Sequence, residues 1–164
     1  KSLGCKVIGT VGSDEKIKLA KKYGCHEVIN YNKENFKDKV LELTNNQGLP
    51  VVYDGVGKDT FNISLKCLKF RGLMVSFGQS SGMVNDVNLH STFNPKSLYY
   101  TRPTLMHYIR NSEELTKCSN KLFSKIKNKE IKPNIFKKFK LSEASQAHEL
   151  IQSRNSVGSI ILCP

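Results

Sequence analysis

Up to Gly78 the chain alternates two hydrophobic periods. Lys6-Val7-Ile8-Gly9-Thr10-Val11 is a β-branched run closed by Gly12, and Ser13-Asp14-Glu15-Lys16 behind it has the chemistry of a helix start, with Ser13 as cap and an acidic first turn. Ile17, Ala20 and Tyr23 fall on one helical stripe, which Gly24 ends. Glu27-Val28-Ile29 predicts a second strand, leading through Asn30-Tyr31-Asn32 into a helix from Glu34 to Leu43 that buries Phe36, Val40 and Leu43. Pro50 to Tyr53 predicts a third strand, and Asp54-Gly55-Val56-Gly57 turns the chain into a helix carrying Phe61, Leu65 and Leu68. Arg71-Gly72 then introduces a fourth strand, Leu73 to Phe77. Apolar strands alternating with amphipathic helices imply a doubly wound α/β fold, a parallel sheet covered on both faces.

The strand starts lie near a common spacing, which would also suit a leucine-rich solenoid, but no L-x-x-L-x-L ladder is present. Beyond Gly78 the rhythm changes. Gln79 to Gly82 is a polar loop, Val84 to Leu89 alternates, and Ser97 to Thr101 predicts a strand ended by Pro103. A helix follows from Ser112 to Asn128 with Leu115, Leu122 and Ile126 as its stripe. Ile135 to Leu141 reads as extended, Ser142 and Ser145 as caps of a helix through His148 to Gln152, and Gly158 to Cys163 as a last strand.

Composition narrows the class. The chain has 164 residues with 38% apolar positions, and 26 Lys and Arg against 14 Asp and Glu give a formal charge of +12. That is a globular composition, and no apolar run approaches the roughly 20 residues that cross a bilayer. The start, Lys1-Ser2-Leu3-Gly4, has neither initiator Met nor signal-peptide chemistry, so the segment is expected to begin inside a larger gene product. Five scattered cysteines without a C-x-x-C pair read as reduced, mostly buried thiols of a cytoplasmic protein, with no metal site. The four histidines, His26, His90, His107 and His148, form no pair at metal or triad spacing and read as surface or satisfied residues.

Ligands of open parallel sheets bind beyond the carboxyl ends of the strands. Those positions hold Gly12-Ser13, Asn30-Tyr31, Asp54 to Gly57 and Phe77-Gly78-Gln79-Ser80, and the glycines permit close backbone approach. The pattern favours a nucleotide site, although G-x-G-x-x-G is absent and would have to lie upstream of Lys1. If the Lys6 strand is the second of such a fold, its end reads the adenosine ribose. Gly12-Ser13 with Lys16 one turn later favours a 2′-phosphate, provided that Asp14 and Glu15 point away.

Two rival chemistries are also written in the chain. Gly78-Gln79-Ser80-Ser81-Gly82 matches the G-x-S-x-G elbow of an α/β hydrolase, with Ser80 as nucleophile and His107 or His148 as base, but Met83 to Asn88 is poor material for the helix that elbow requires. Residues 117–140 hold nine lysines and one acid, Glu130, which suits a basic RNA-binding module. Lys117, Lys121 and Lys125 recur at helical spacing, and a solvated helix face explains them equally well.

The strings Val7 to Gly12, Val28 to Tyr31, Val51 to Gly57, Arg71 to Gly78 and Tyr100-Thr101-Arg102-Pro103, with the closing Ser153-Arg154 and Gly158 to Pro164, together resemble the NADPH:quinone oxidoreductases. They are similar to the zeta-crystallin-like branch of the medium-chain dehydrogenase/reductase superfamily. This resemblance implies a Rossmann-type sheet incomplete at its N-terminal side, with residues 1–132 as a nucleotide-binding domain lacking its first strand and glycine-rich loop. Residues 133–164 would be a helix and strand returning to a missing catalytic domain. It further implies a zinc-independent hydride transfer from NADPH to a quinone, with the isolated segment inactive and no catalytic residue named in it.

By the same similarity Gly12, Ser13, Lys16, Tyr31 and Arg154 match the residues around the 2′-phosphate. Gly55 lies along the cofactor path, and Phe77, Gly78, Gln79 and Ser80, then Pro103, Thr104 and Leu105, flank its nicotinamide half. Ser80 is in that case a cofactor contact. The family also implies a homodimer through the sheet edge at Ser97 to Thr101, and a secondary RNA-binding role for the lysine-rich segment.

Overall fold

The computed structural model describes every residue except Arg154. Lys1 and Leu3–Leu115 form one compact unit, and Ser2 and Thr116–Pro164 form another.

In the first unit β1 (Ile8–Val11) lies parallel to β2 (Glu27–Asn30), with Ile8 opposite Glu27 and Val11 opposite Asn30. Their crossover is α1 (Glu15–Lys22). A second ladder has the order β3-β4-β5, from β3 (Leu49–Asp54), β4 (Leu68–Ser76) and β5 (Tyr99–Thr101), again parallel throughout. Helices α2 (Phe36–Leu43) and α3 (Phe61–Lys66) supply the crossovers, and α4 (Leu89–Phe93) precedes β5. The doubly wound parallel α/β expectation is met.

Two apolar clusters hold this unit. Ile29, Phe36, Val40 and Cys67 are buried together with Ile8, Leu49, Val52 and Ile63 packed against them, so β1 and β3 share a core without pairing their backbones. Phe61, Leu65, Leu68 and Met74 form the second, under Val84, Val87, Phe93 and Leu98. Coverage on both faces does not hold along β3, where Val51 and Tyr53, one pleat apart, face solvent.

Several local expectations shift. Leu68 is not on α3 but opens β4 opposite Leu49. The helix ends at Lys66, and the Lys96 ammonium caps the carbonyls of Lys66 and Leu68 at 3.2 and 2.5 Å. Ser13 does not cap α1. Asp14 takes the cap position, and its side chain bonds elsewhere. Tyr23, just past the end of α1, is 46% exposed, and α1 itself has no buried residue. Of the five cysteines only Cys67 is buried, while Cys5 and Cys118 are exposed; all five remain thiols.

The second unit contains most of α5 (Ser112–Lys127), then β6 (Ile135–Lys140), α6 (Ala144–Gln152) and β7 (Ser159–Cys163). β6 and β7 pair in parallel around α6, and Ala147 and Phe139 are its buried apolar side chains. Leu115 and Leu122 on the α5 stripe are about half exposed. Ser142 and Ser145 do not cap α6. Its entry is a tight turn over Leu141–Glu143 in which Glu143 Oε2 accepts the Lys140 N–H at 2.8 Å. Of the basic stripe, Lys125 pairs with Glu130 at 2.7 Å.

Burial raises the Cys67 thiol to about 11. Its thiolate is therefore scarce at neutral pH, and the folded protein is expected to alkylate at Cys5 and Cys118 well before Cys67, with Cys67 reacting only on unfolding. Peptide mapping after iodoacetamide treatment at pH 8, with and without denaturant, measures this order.

Candidate functional site

Each ladder of the first unit delivers its loops at the carboxyl ends of parallel strands, and the candidate residues fall into two groups there.

The first group joins the loops after β1 and β2. Tyr31 donates its backbone N–H to Val11 O at 3.1 Å, and Asn32 Nδ2 donates to Gly12 O at 2.7 Å. A Cβ added to Gly12 would stand 2.8 Å from the Tyr31 hydroxyl and 3.3 Å from its ring. The Tyr31 hydroxyl thus packs on the open side of Gly12, and a side chain there would have to displace it. Ser13 O accepts the Lys16 N–H at 3.2 Å, at the start of α1.

Asp14 does not point away. It turns across to the β2 loop, where Oδ1 accepts from Asn30 Nδ2 at 2.6 Å and Oδ2 accepts from the Lys33 ammonium. The Lys33 hydrogen bond, followed by that of Asn30, holds the Asp14 carboxyl below the ordinary carboxylate range. Asn30 is 4% exposed, and its Oδ1 accepts the Asn32 N–H at 3.1 Å, so its amide is committed on both sides.

The second group surrounds the β3 end. Asp54, 4% exposed, accepts from the N–H groups of Val56 and Gly57 at 2.9 and 3.0 Å and from the hydroxyls of Thr60 and Ser64 at 2.8 and 2.7 Å. Its carbonyl accepts the Phe77 N–H at 3.0 Å. Gly55 and Gly78 meet backbone to backbone: a Cβ on Gly78 would lie 2.5 Å from Gly55 O. A Cβ on Gly55 would lie 3.0 Å from the Phe77 ring, which also meets Tyr53 edge to face at 6.5 Å. Ser80 N donates to Gly55 O at 3.3 Å, and Ser81 N to Val56 O at 2.8 Å.

Gln79 Oε1 accepts from Arg102 at 2.8 Å, which ties the loop after β4 to the end of β5. Pro103, Thr104 and Leu105 continue from there, with Thr104 leading the short 3-10 turn Leu105–His107. Arg154, the remaining candidate, lies outside the described residues.

The chain after Ser80 stays irregular until α4 begins at Leu89. The elbow geometry of a hydrolase is therefore not built, and the hydrolase expectation is set aside. His26 is a satisfied residue, its Nδ1 accepting the Val7 N–H at 3.0 Å. Among the described residues no group of three or more His, Cys, Asp or Glu could hold a metal ion, and no helix is long and apolar enough to cross a membrane.

Sequence reasoning placed Asn30 and Asp54 at strand ends without a role for their side chains, and gave no site role to Asn32, Lys33, Thr60 or Arg102. Asparagine or aspartate directly at a strand end is the signal that could have found the roles of Asn30, Asn32 and Asp54, since such side chains bond the backbone of the next turn. Nothing in the linear order links Arg102 to Gln79.

Parallel strands with glycine-lined loops at their carboxyl ends define a dinucleotide-binding type of α/β protein. The chain belongs to the Zinc-binding dehydrogenase family, whose sequence pattern it matches over residues 1–125. It is 48% identical to quinone oxidoreductase 1 of Escherichia coli across its whole length, covering 51% of that protein. Among solved structures it is similar to the quinone oxidoreductase of Pseudomonas syringae, with 43% identity and a TM-score of 0.95 over 100% of this chain and 50% of that one. It is also similar to the Escherichia coli quinone oxidoreductase complexed with NADPH, with 49% identity and a TM-score of 0.94 over 99% and 51%. The resemblance to the quinone oxidoreductases read from the sequence is thereby borne out, and the chain spans about half the length of the curated relatives it matches.

Two variants probe the β3 end in the native gene product that contains this segment. Asp54→Ala removes the acceptor of two N–H groups and two hydroxyls and is expected to lower stability by about 3 kcal/mol, read from the urea midpoint. Gly78→Ala forces two backbones apart and is expected to cost about 2 kcal/mol or more by the same measurement.

Proposed function

We propose that this chain is the NADPH-binding half of an oxidoreductase that transfers a hydride from NADPH to a quinone. The observation that carries the reading is the set of loops bearing Gly12, Gly55 and Gly78 at the carboxyl ends of parallel strands, in a chain 48% identical to a quinone oxidoreductase. Loops at the carboxyl ends of parallel strands are where such sheets take a dinucleotide.

In this reading Gly12, Ser13, Lys16 and Tyr31, with Arg154, hold the adenosine ribose and its 2′-phosphate. Gly55 lies under the cofactor path. Phe77, Gly78, Gln79 and Ser80, with Pro103, Thr104 and Leu105, wall the nicotinamide end. The bound nicotinamide supplies the hydride. The chain's own contribution is to orient that ring and keep water from it, Phe77 by its exposed aromatic face and Gln79 by its fixed bond to Arg102. No residue of this chain is assigned as a catalytic acid, and no zinc enters the reading.

The domain division at 132/133 belongs to the same proposal. β2-β1 and β3-β4-β5 correspond to the two flanks of the strand order 3-2-1-4-5-6 with its first strand left out. A missing strand between β1 and β3 is supported by their shared core and unpaired facing edges. The outer edge of β5, with Tyr99 62% exposed, is the proposed dimer contact, and the assembled enzyme is placed in the cytoplasm.

Quinone-dependent oxidation of NADPH against NADH, measured on the native gene product containing this segment, is the test. Turnover preferring NADPH is expected; no turnover with either cofactor in a folded protein overturns the reading. Lys16→Ala is expected to weaken NADPH by about tenfold or more, the loss of one charge-assisted contact, with NADH within about twofold.

A further inference from the structure

The head of α1 presents a difficulty for a phosphate site. Asp14 is adjacent to Ser13 and two residues from Lys16, and an acidic side chain at the end of this strand is the usual partner of a free ribose 2′-hydroxyl, not of a phosphate. A carboxylate left open there would repel a phosphate bearing up to two negative charges.

The structure shows both oxygens of that carboxylate occupied. One accepts from Asn30, whose amide is buried and pinned by its own bond from the Asn32 N–H, and the other accepts from the Lys33 ammonium. Asn32 in turn reaches Gly12 O at 2.7 Å, so the carboxylate is drawn toward the β2 loop by a frame that also positions Gly12 and Tyr31. Asp14 and Lys33 cancel in charge. Glu15 and Lys16 follow on the first turn of α1.

We propose that Lys33 is a specificity-determining residue for the cofactor. By holding Asp14 against Asn30 and neutralising it, Lys33 keeps the pocket of Gly12, Ser13, Lys16 and Tyr31 open to a ribose 2′-phosphate. The inference rests on the NADPH reading above and adds to it a residue that does not itself touch the phosphate. Lys33 acts through Asp14, which distinguishes it from Lys16.

Because both side chains are more than half exposed, the effect is screened and moderate, and low ionic strength is where it is largest. The test is calorimetric titration of NADPH and of NADH into the native gene product and into Lys33→Met, Asp14→Asn and the double variant. Lys33→Met uncovers a charge and is expected to weaken NADPH about fivefold while changing NADH less than about twofold. Asp14→Asn is expected to bind NADPH at least as well as the parent, and the double variant to return to within about twofold of it.

An unchanged NADPH-to-NADH ratio in Lys33→Met overturns the proposal. So does a double variant as weak as Lys33→Met, because Lys33 would then act by direct contact with the phosphate. A parent protein that shows no preference for NADPH overturns the cofactor reading and this inference together, whereas a parent preference that survives Lys33→Met overturns this inference alone.

Discussion

The buried carboxyl of Asp54 is the constraint on which the candidate nicotinamide end depends. It stands at the last residue of β3, and its four donors start the next turn and the next helix from one point. A carboxyl group removed from water is costly unless fully hydrogen-bonded, so the turn has little freedom to rearrange without stranding an acceptor. Its backbone carbonyl also receives the Phe77 N–H, which sets how closely β4 leaves the sheet beside Gly55. The contact between Gly55 and Gly78 follows from that geometry.

A related device works at the other ladder with different chemistry. There the loops after β1 and β2 are joined by asparagines rather than by a buried acid. Asn30 and Asn32 each reach across to the first loop, and the Asp14 carboxylate that meets Asn30 is matched by Lys33. The two cradles are thus rigid for separate reasons: one through a buried cap, the other through bridging amides. At both, neighbouring chain packs tightly on the glycines, the Tyr31 hydroxyl on Gly12 and the Phe77 ring and Gly78 backbone on Gly55.

The parts of the first unit that stay open are as informative as the parts that are closed. Parallel sheets normally have both faces covered, yet Val51 and Tyr53 on β3 face solvent, and β1 and β3 share side-chain packing without hydrogen bonds between them. These surfaces have the chemistry of a core whose other side is supplied by more chain, in keeping with a match to only half of each relative.

Hydrophobic period alone determined the strand and helix succession, because β-branched runs and i, i+3, i+4 stripes are local signals: β1 to β3, α2 and α5 fall within a few residues of their expected places. It also located the strand-end glycines and, through motifs spread along the whole chain, the family. Tertiary structure decided what each polar side chain does. Leu68 left its helix for a strand because Leu49 pairs with it, Tyr23 and the α5 leucines Leu115 and Leu122 stayed about half exposed, and the bonds of Asp14 to Asn30 and Lys33 and of Gln79 to Arg102 link residues 16 to 23 positions apart. A hydrogen bond between loops is set by strand register and loop path, which no periodicity encodes, so a sequence locates the candidate pocket while the folded chain decides its charge.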